Sequence, residues 1–218
     1  VEIFYYIFLI FIFFIIYKTF FRNAKCFYGL GTWGIFYEGF HSEAGLQGAC
    51  FDELKVFLES QVMWNPNMSE AQYNSLIDKF LKNYYGDAAP YLREYINLYE
   101  SYASREDVHF NYDLLDLNTG SHKVNDVIPA TKVKSFFRKA EELFDLAKEA
   151  VNDNEVLLKR VKIQYVQVRY LDLFLNMDSI LANGTNEEIR EVKTKNAELI
   201  QMINQYKMKI LNYLKINI

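Results

Sequence analysis

From residue 51 onward, apolar positions recur every three or four residues, and caps or helix breakers separate the runs. Phe51, Leu54, Val56, Phe57, Leu58 and Val62 predict an apolar helix that stops at "MWNP", where Pro66 cannot continue it. Trp64 is expected in the core where that helix meets the next. Ser69 with Gln72 is a capping-box pattern, followed by Tyr73, Leu76, Ile77, Phe80 and Tyr84 at helical spacing. Gly86 ends that helix. Asp87 is expected to cap another, with Pro90 in its first turn and a stripe of Tyr91, Tyr95, Leu98 and Tyr102. The tyrosines of 84–102 read as core rather than as a sugar platform.

Residues 106–131 form the only long irregular segment, and His109 within it reads as a surface residue. Three more helices follow. Val133, Phe136, Phe137, Ala140, Leu143, Phe144 and Ala147 make the apolar face of the first. Asp153 or Asn154 starts the second, with Leu157, Val161, Tyr165, Val168, Leu171 and Leu175 on one side. Asn183-Gly184-Thr185 is the turn into the third. Thr185 with Glu188 forms another capping box, and Ile189, Val192, Leu199, Ile203, Tyr206, Ile210 and Tyr213 form the stripe. Short turns between these helices predict antiparallel, bundle-like packing.

Before residue 51 the pattern changes. Residues 3–17 are apolar throughout, and Lys18, Arg22 and Lys25 follow. Asn23 to Tyr28 close a helix with Gly29 as its stop. "TWGIFYE", 32–38, is β-branched and aromatic and reads as a buried strand, and the glycine-rich 39–48 as a loop. The run 3–17 falls short of the roughly 20 residues that cross a bilayer. It lacks the cationic start and small-residue cleavage site of a signal peptide. Three readings stay open: a marginal membrane anchor, a buried strand or helix with partners upstream, or residues foreign to the native protein.

Composition narrows the function classes. The chain has 218 residues, a net charge of -4, 18 Phe and 17 Tyr. Lys and Glu alternate along helix faces, so there is no basic footprint for nucleic acid. Cys26 and Cys50, with His41, His109 and His122, match no zinc spacing. Neither a metal nor a cofactor is expected.

The succession "GTWGIFYEGFHSEAG", "FDELKVFLESQVMWNP", "YYGDAAPY" and, further on, "KAEELFDLAKEAV" resembles a glycoside-hydrolase-like family known as domain of unknown function 4838. That family is itself similar to α-glucuronidases and β-N-acetylhexosaminidases. The resemblance runs over about residues 23–176. It departs from the family at 3–21, where the apolar run replaces a segment with Trp, Tyr, Asn and Pro. It implies a mainly α chain in which a β/α remnant of a (β/α)8 barrel is followed by a helical bundle-like region. The corresponding divisions are an apolar segment, 1–22, the last strand-helix unit, 23–65, and a helical region, 66–218. A complete barrel takes about 250 residues, and only about 60 precede the helical region here. The expected parent therefore carries seven further strands.

Glycosidases place two carboxylates on either side of the scissile bond. By resemblance these sit on middle strands, so no catalytic residue is assigned to this chain. What the resemblance retains is Glu38, at the carboxyl end of the last strand, as an acceptor for sugar hydroxyls. Trp33 and Tyr37 are in reach as stacking platforms, although alternation along the strand puts them on the face opposite Glu38. His41, with Glu43, lines the same pocket in one reading and belongs to a solvated loop in the other, which is preferred. The bland reading of Glu38 is a carboxylate that satisfies backbone donors. The expected partner is a carbohydrate, bound through the parent barrel. The competing reading is a membrane-tethered helical interaction module anchored through 3–21, which puts the chain at a membrane or outside the cytoplasm.

Overall fold

The computed structural model describes residues 17–32, 51–103 and 131–206. Every regular element among them is helical. The first, α1 (Tyr17–Gly29), ends at Gly29 as its sequence predicts. It buries Tyr17, Phe20, Phe21 and Ala24, a spacing that forms one helical face. Phe21 stacks on Tyr73 at 4.7 Å between ring centroids, and the Tyr73 hydroxyl donates to the Tyr17 carbonyl at 3.0 Å.

Helix α2 (Asp52–Trp64) buries Leu54, Leu58 and Val62. Two expectations fail here. Val56 is 65% exposed and Trp64 is 91% exposed. At about 100° per residue, Val56 lies about 200° round the helix from Leu54 and therefore faces away from the bundle. Trp64, the last helical residue, likewise falls off the 54–58–62 row, so it is not core.

Helix α3 (Glu70–Tyr85) begins with the expected capping box: Gln72 N–H donates to Ser69 Oγ, and Ser69 N–H to Gln72 Oε1. Gly86 closes it and opens a single 3-10 turn before α4 (Ala89–Ala103). Asp87 does not cap α4. Its carboxylate pairs with Lys82 at 2.6 Å, and the 3-10 turn takes the place of a cap. The row that α4 buries, Leu92, Tyr95, Ile96 and Tyr99, is rotated from the expected stripe, leaving Tyr91, Leu98 and Tyr102 half-buried.

Helix α5 (Val133–Glu149) buries all seven expected apolar positions. Helix α6 (Glu155–Asn183) starts at Asn154, whose Oδ1 accepts from Leu157 N–H. Thr185 and Glu188 form the reciprocal cap of α7 (Asn186–Tyr206). Phe144 meets Tyr165, and earlier in α5 Glu141 meets Arg169 further along α6, so these helices run antiparallel. Arg169 also pairs with Glu198, and Asp172 with Lys195, which makes α6 and α7 antiparallel too. With neighbours on both sides, α6 is buried around its whole circumference from Gln164 to Val168.

The core centre is aromatic. Tyr95 packs edge-on against Phe144 at 4.9 Å, and Phe144 touches Tyr165 at 5.4 Å. Burial pushes the Tyr165 hydroxyl up to about 12.

Phe51 joins this cluster from the other end of the chain. Its ring, fully buried, sits 5.8 Å from Tyr85 and 6.3 Å from Tyr95. Its backbone is left-handed, φ 56° and ψ 43°, an uncommon region for a bulky residue. The Phe51 N–H donates to the buried Gln164 Oε1 at 2.7 Å, across 113 residues of sequence. Gln164→Leu keeps most of the volume and strands that N–H. It is expected to lower the unfolding free energy by about 1–3 kcal/mol in urea titration. An unchanged midpoint would show that the bond holds nothing.

Candidate functional site

The four residues selected from sequence, Trp33, Glu38, Tyr37 and His41, lie outside the described residues, as do the expected strand 32–38 beyond Thr32, the expected loop 39–48 and residues 106–130 of the segment expected to be irregular. The first described residue after them is Phe51. Three contacts lie around Phe51: one made by Phe51 itself, one by the first turn of α2, and one that joins α3 to α6 beside them. The first is the Gln164 bond already described. In the second, the Tyr84 hydroxyl at the end of α3 donates to Glu53 Oε1 at the start of α2, 3.3 Å away. In the third, Arg160 of α6 lies over the Tyr84 ring at 4.0 Å and donates through Nη1 to the Tyr84 carbonyl at 2.7 Å. The N-terminus of α2 is thus fastened to both α3 and α6. Asp52 and Glu53 in its first turn also complement the helix dipole.

One carboxylate on α2 departs upward from its ordinary value of 4.5. Burial raises Glu59, Lys55 works in the opposite direction, and Asp52 adds to the rise. Because the folded state holds this proton more tightly than the unfolded chain, the group's contribution is most favourable below pH 4.5. That contribution declines as pH rises through the raised value. Glu59→Gln is therefore expected to stabilise the protein at neutral pH, by less than about 1 kcal/mol once solvent screening is allowed for. The gain should vanish in acid, and thermal melts at both pH values would test it.

A groove of about 480 Å³ opens where the start of α5, the second half of α6 and the start of α7 come together. Phe137, Leu173 and Val192 form its apolar floor. Its carboxylates are already engaged. Asp172 accepts from Asn176 at 2.7 Å and pairs with Lys195 at 3.5 Å, while Lys195 also holds Glu191 at 3.0 Å. Glu188 accepts from the Thr185 backbone and hydroxyl, which keeps it below the ordinary carboxylate range. Burial tends to lower Lys195, but Glu191, Asp172 and Glu141 hold it above the ordinary lysine value. Glu188 and Lys195 are thus both held in their charged forms, which suits them to hydrogen bonding rather than to proton transfer. Among the described residues no group of three His, Cys, Asp or Glu side chains could hold a metal ion.

Sequence reading missed Gln164, the groove and the Arg160–Tyr84 contact. None has a local signal, since each joins elements that are remote along the chain.

The described residues are those of a mainly α-helical protein whose N-terminal helices dock on an antiparallel helical core. Residues 1–97 match the family described as Domain of unknown function (DUF4838). The match takes in the apolar run and extends from α1 into α4. It stops short of residues 98–176, which the motif resemblance also covers. No curated protein and no solved structure matches the chain.

Proposed function

We propose that the chain is the C-terminal part of a glycoside-hydrolase-like, carbohydrate-active protein and catalyses nothing by itself. In this reading residues 23–65 are the last strand-helix unit of a (β/α)8 barrel, and 66–218 are the helical region that buttresses it. The observation that carries it is the fastening of Phe51. A loop that presents ligands from the end of a barrel strand needs a rigid base. Here Phe51, three residues beyond the predicted 39–48 loop, is locked to α3, α4 and α6. The family match over 1–97 and the motif "GTWGIFYEGF" support the same reading.

Glu38 would then accept hydrogen bonds from sugar hydroxyls, Trp33 and Tyr37 would stack on sugar faces, and His41 would line the pocket. Two carboxylates on opposite sides of a glycosidic bond are required for hydrolysis, and one loop does not supply them. The chain is accordingly expected to release no phenol from aryl glycosides. Turnover that Glu38→Gln abolishes would overturn the reading. In the native gene product, Glu38→Ala is expected to weaken oligosaccharide binding about tenfold or more, as measured by calorimetry.

A further inference from the structure

The apolar stripe of α7 has one polar member. Ile189, Val192, Asn196, Leu199, Ile203 and Tyr206 follow one another in alternating steps of three and four, an unbroken heptad row. Ile189, Asn196 and Ile203 are its a positions, and Val192, Leu199 and Tyr206 its d positions. Asn196 is 1% exposed, and among the described residues neither Oδ1 nor Nδ2 of its amide has a hydrogen-bond partner. A buried amide in this state costs free energy that packing against α6 does not offset.

A second helix of the same sequence would offset it. In parallel two-stranded coiled coils, an Asn at a single a position specifies register and strand number, facing its own copy. The flanks of the row suit the same occupant. Glu188 at g and Lys193 at the following e carry opposite charges, and in a parallel pair Glu188 of one helix faces Lys193 of the other. Ile200, also at e, is 49% exposed and left uncovered by α6.

Release of α7 from α6 strands little charge. Arg169 gives up Glu198 but keeps Glu141 at 3.1 Å. Lys195 gives up Asp172 but keeps Glu191 at 3.0 Å, and Asp172 keeps Asn176. Val192, Leu199 and Ile203 would be covered again by their copies. The side of α6 beneath α7 would lose its cover, so the closed packing prevails in dilute protein.

We propose that α7 has two alternative partners, α6 in the monomer and α7 of a second copy, and that Asn196 sets the register of the resulting parallel dimer. This inference does not rest on the carbohydrate reading.

The test uses the full chain with Cys26→Ser and Cys50→Ser, which removes both native thiols. In a glutathione redox buffer, Asn196→Cys is expected to form a disulfide-linked dimer several-fold faster than Thr194→Cys, although position 194 is exposed and position 196 is buried in the monomer. A faster link at 194, or none at 196, would overturn the proposal. In sedimentation equilibrium the unaltered chain is expected to double in mass between about 1 and about 100 µM. Ile200→Glu is expected to weaken that dimer about tenfold or more while the monomer melts at an unchanged temperature. A chain that stays monomeric throughout, or a dimer indifferent to Ile200→Glu, would also overturn it.

Discussion

Phe51→Ala is expected to lower the unfolding free energy by about 3–5 kcal/mol, the largest effect of any single truncation considered. The ring is fully buried and touches Tyr85 and Tyr95, so its removal leaves a cavity between α2 and the central aromatic cluster. Alanine would still have to hold φ 56°, a region that disfavours any residue with a Cβ. Domains of this kind are stable by only about 5–15 kcal/mol, so the loss is a large fraction of the total. In urea the midpoint should fall with little change in slope. Hydrogen exchange should show α2 losing protection first, because Phe51 and the Gln164 bond are what tie its start to α6. Phe51→Leu, which refills part of the space, should recover part of the loss. If Phe51→Ala unfolded at the wild-type midpoint, the two ends of the chain would not be coupled through this residue.

The second large effect is at Gly86. Its φ of +60° and ψ of -129° are essentially confined to glycine, and a Cβ built there would lie 2.7 Å from Leu157 Cδ1. Gly86→Ala is expected to destabilise by about 1–3 kcal/mol from the backbone alone, with the steric contact in addition. The two parts separate in a double variant. Gly86→Ala with Leu157→Ala should relieve the contact and leave the backbone strain. The pair is then expected to be less destabilised than the sum of the single variants. Strict additivity would mean that Leu157 yields freely and that only the backbone matters.

How much of this was legible in the sequence depended on the range of the interaction. The stripe of α5 was readable because all seven apolar residues lie on one continuous face, which packs between α4 and α6. The caps at Ser69, Asn154 and Thr185 were readable because donor and acceptor lie three residues apart. Helix α2 misled because its apolar residues occupy two faces, and periodicity does not say which one the bundle takes. The stripe of α4 was rotated because the 3-10 turn at Gly86–Ala88 resets its entry. Burial of Gln164 and Gln167 was invisible, since polarity argues for a surface and only the packing of α6 on all sides reverses that. The candidate residues Trp33, Glu38, Tyr37 and His41 rest on the motif resemblance and lie outside the described residues, which resume at the buried Phe51.

The central claim is that these helices buttress the end of a carbohydrate-active barrel. The most direct test is the intact mass of the native gene product, with peptide mapping across residues 1–30. The account predicts a product larger by about 200 residues or more, enough for the remaining strands of the barrel. A native product that begins near Val1 would contradict it.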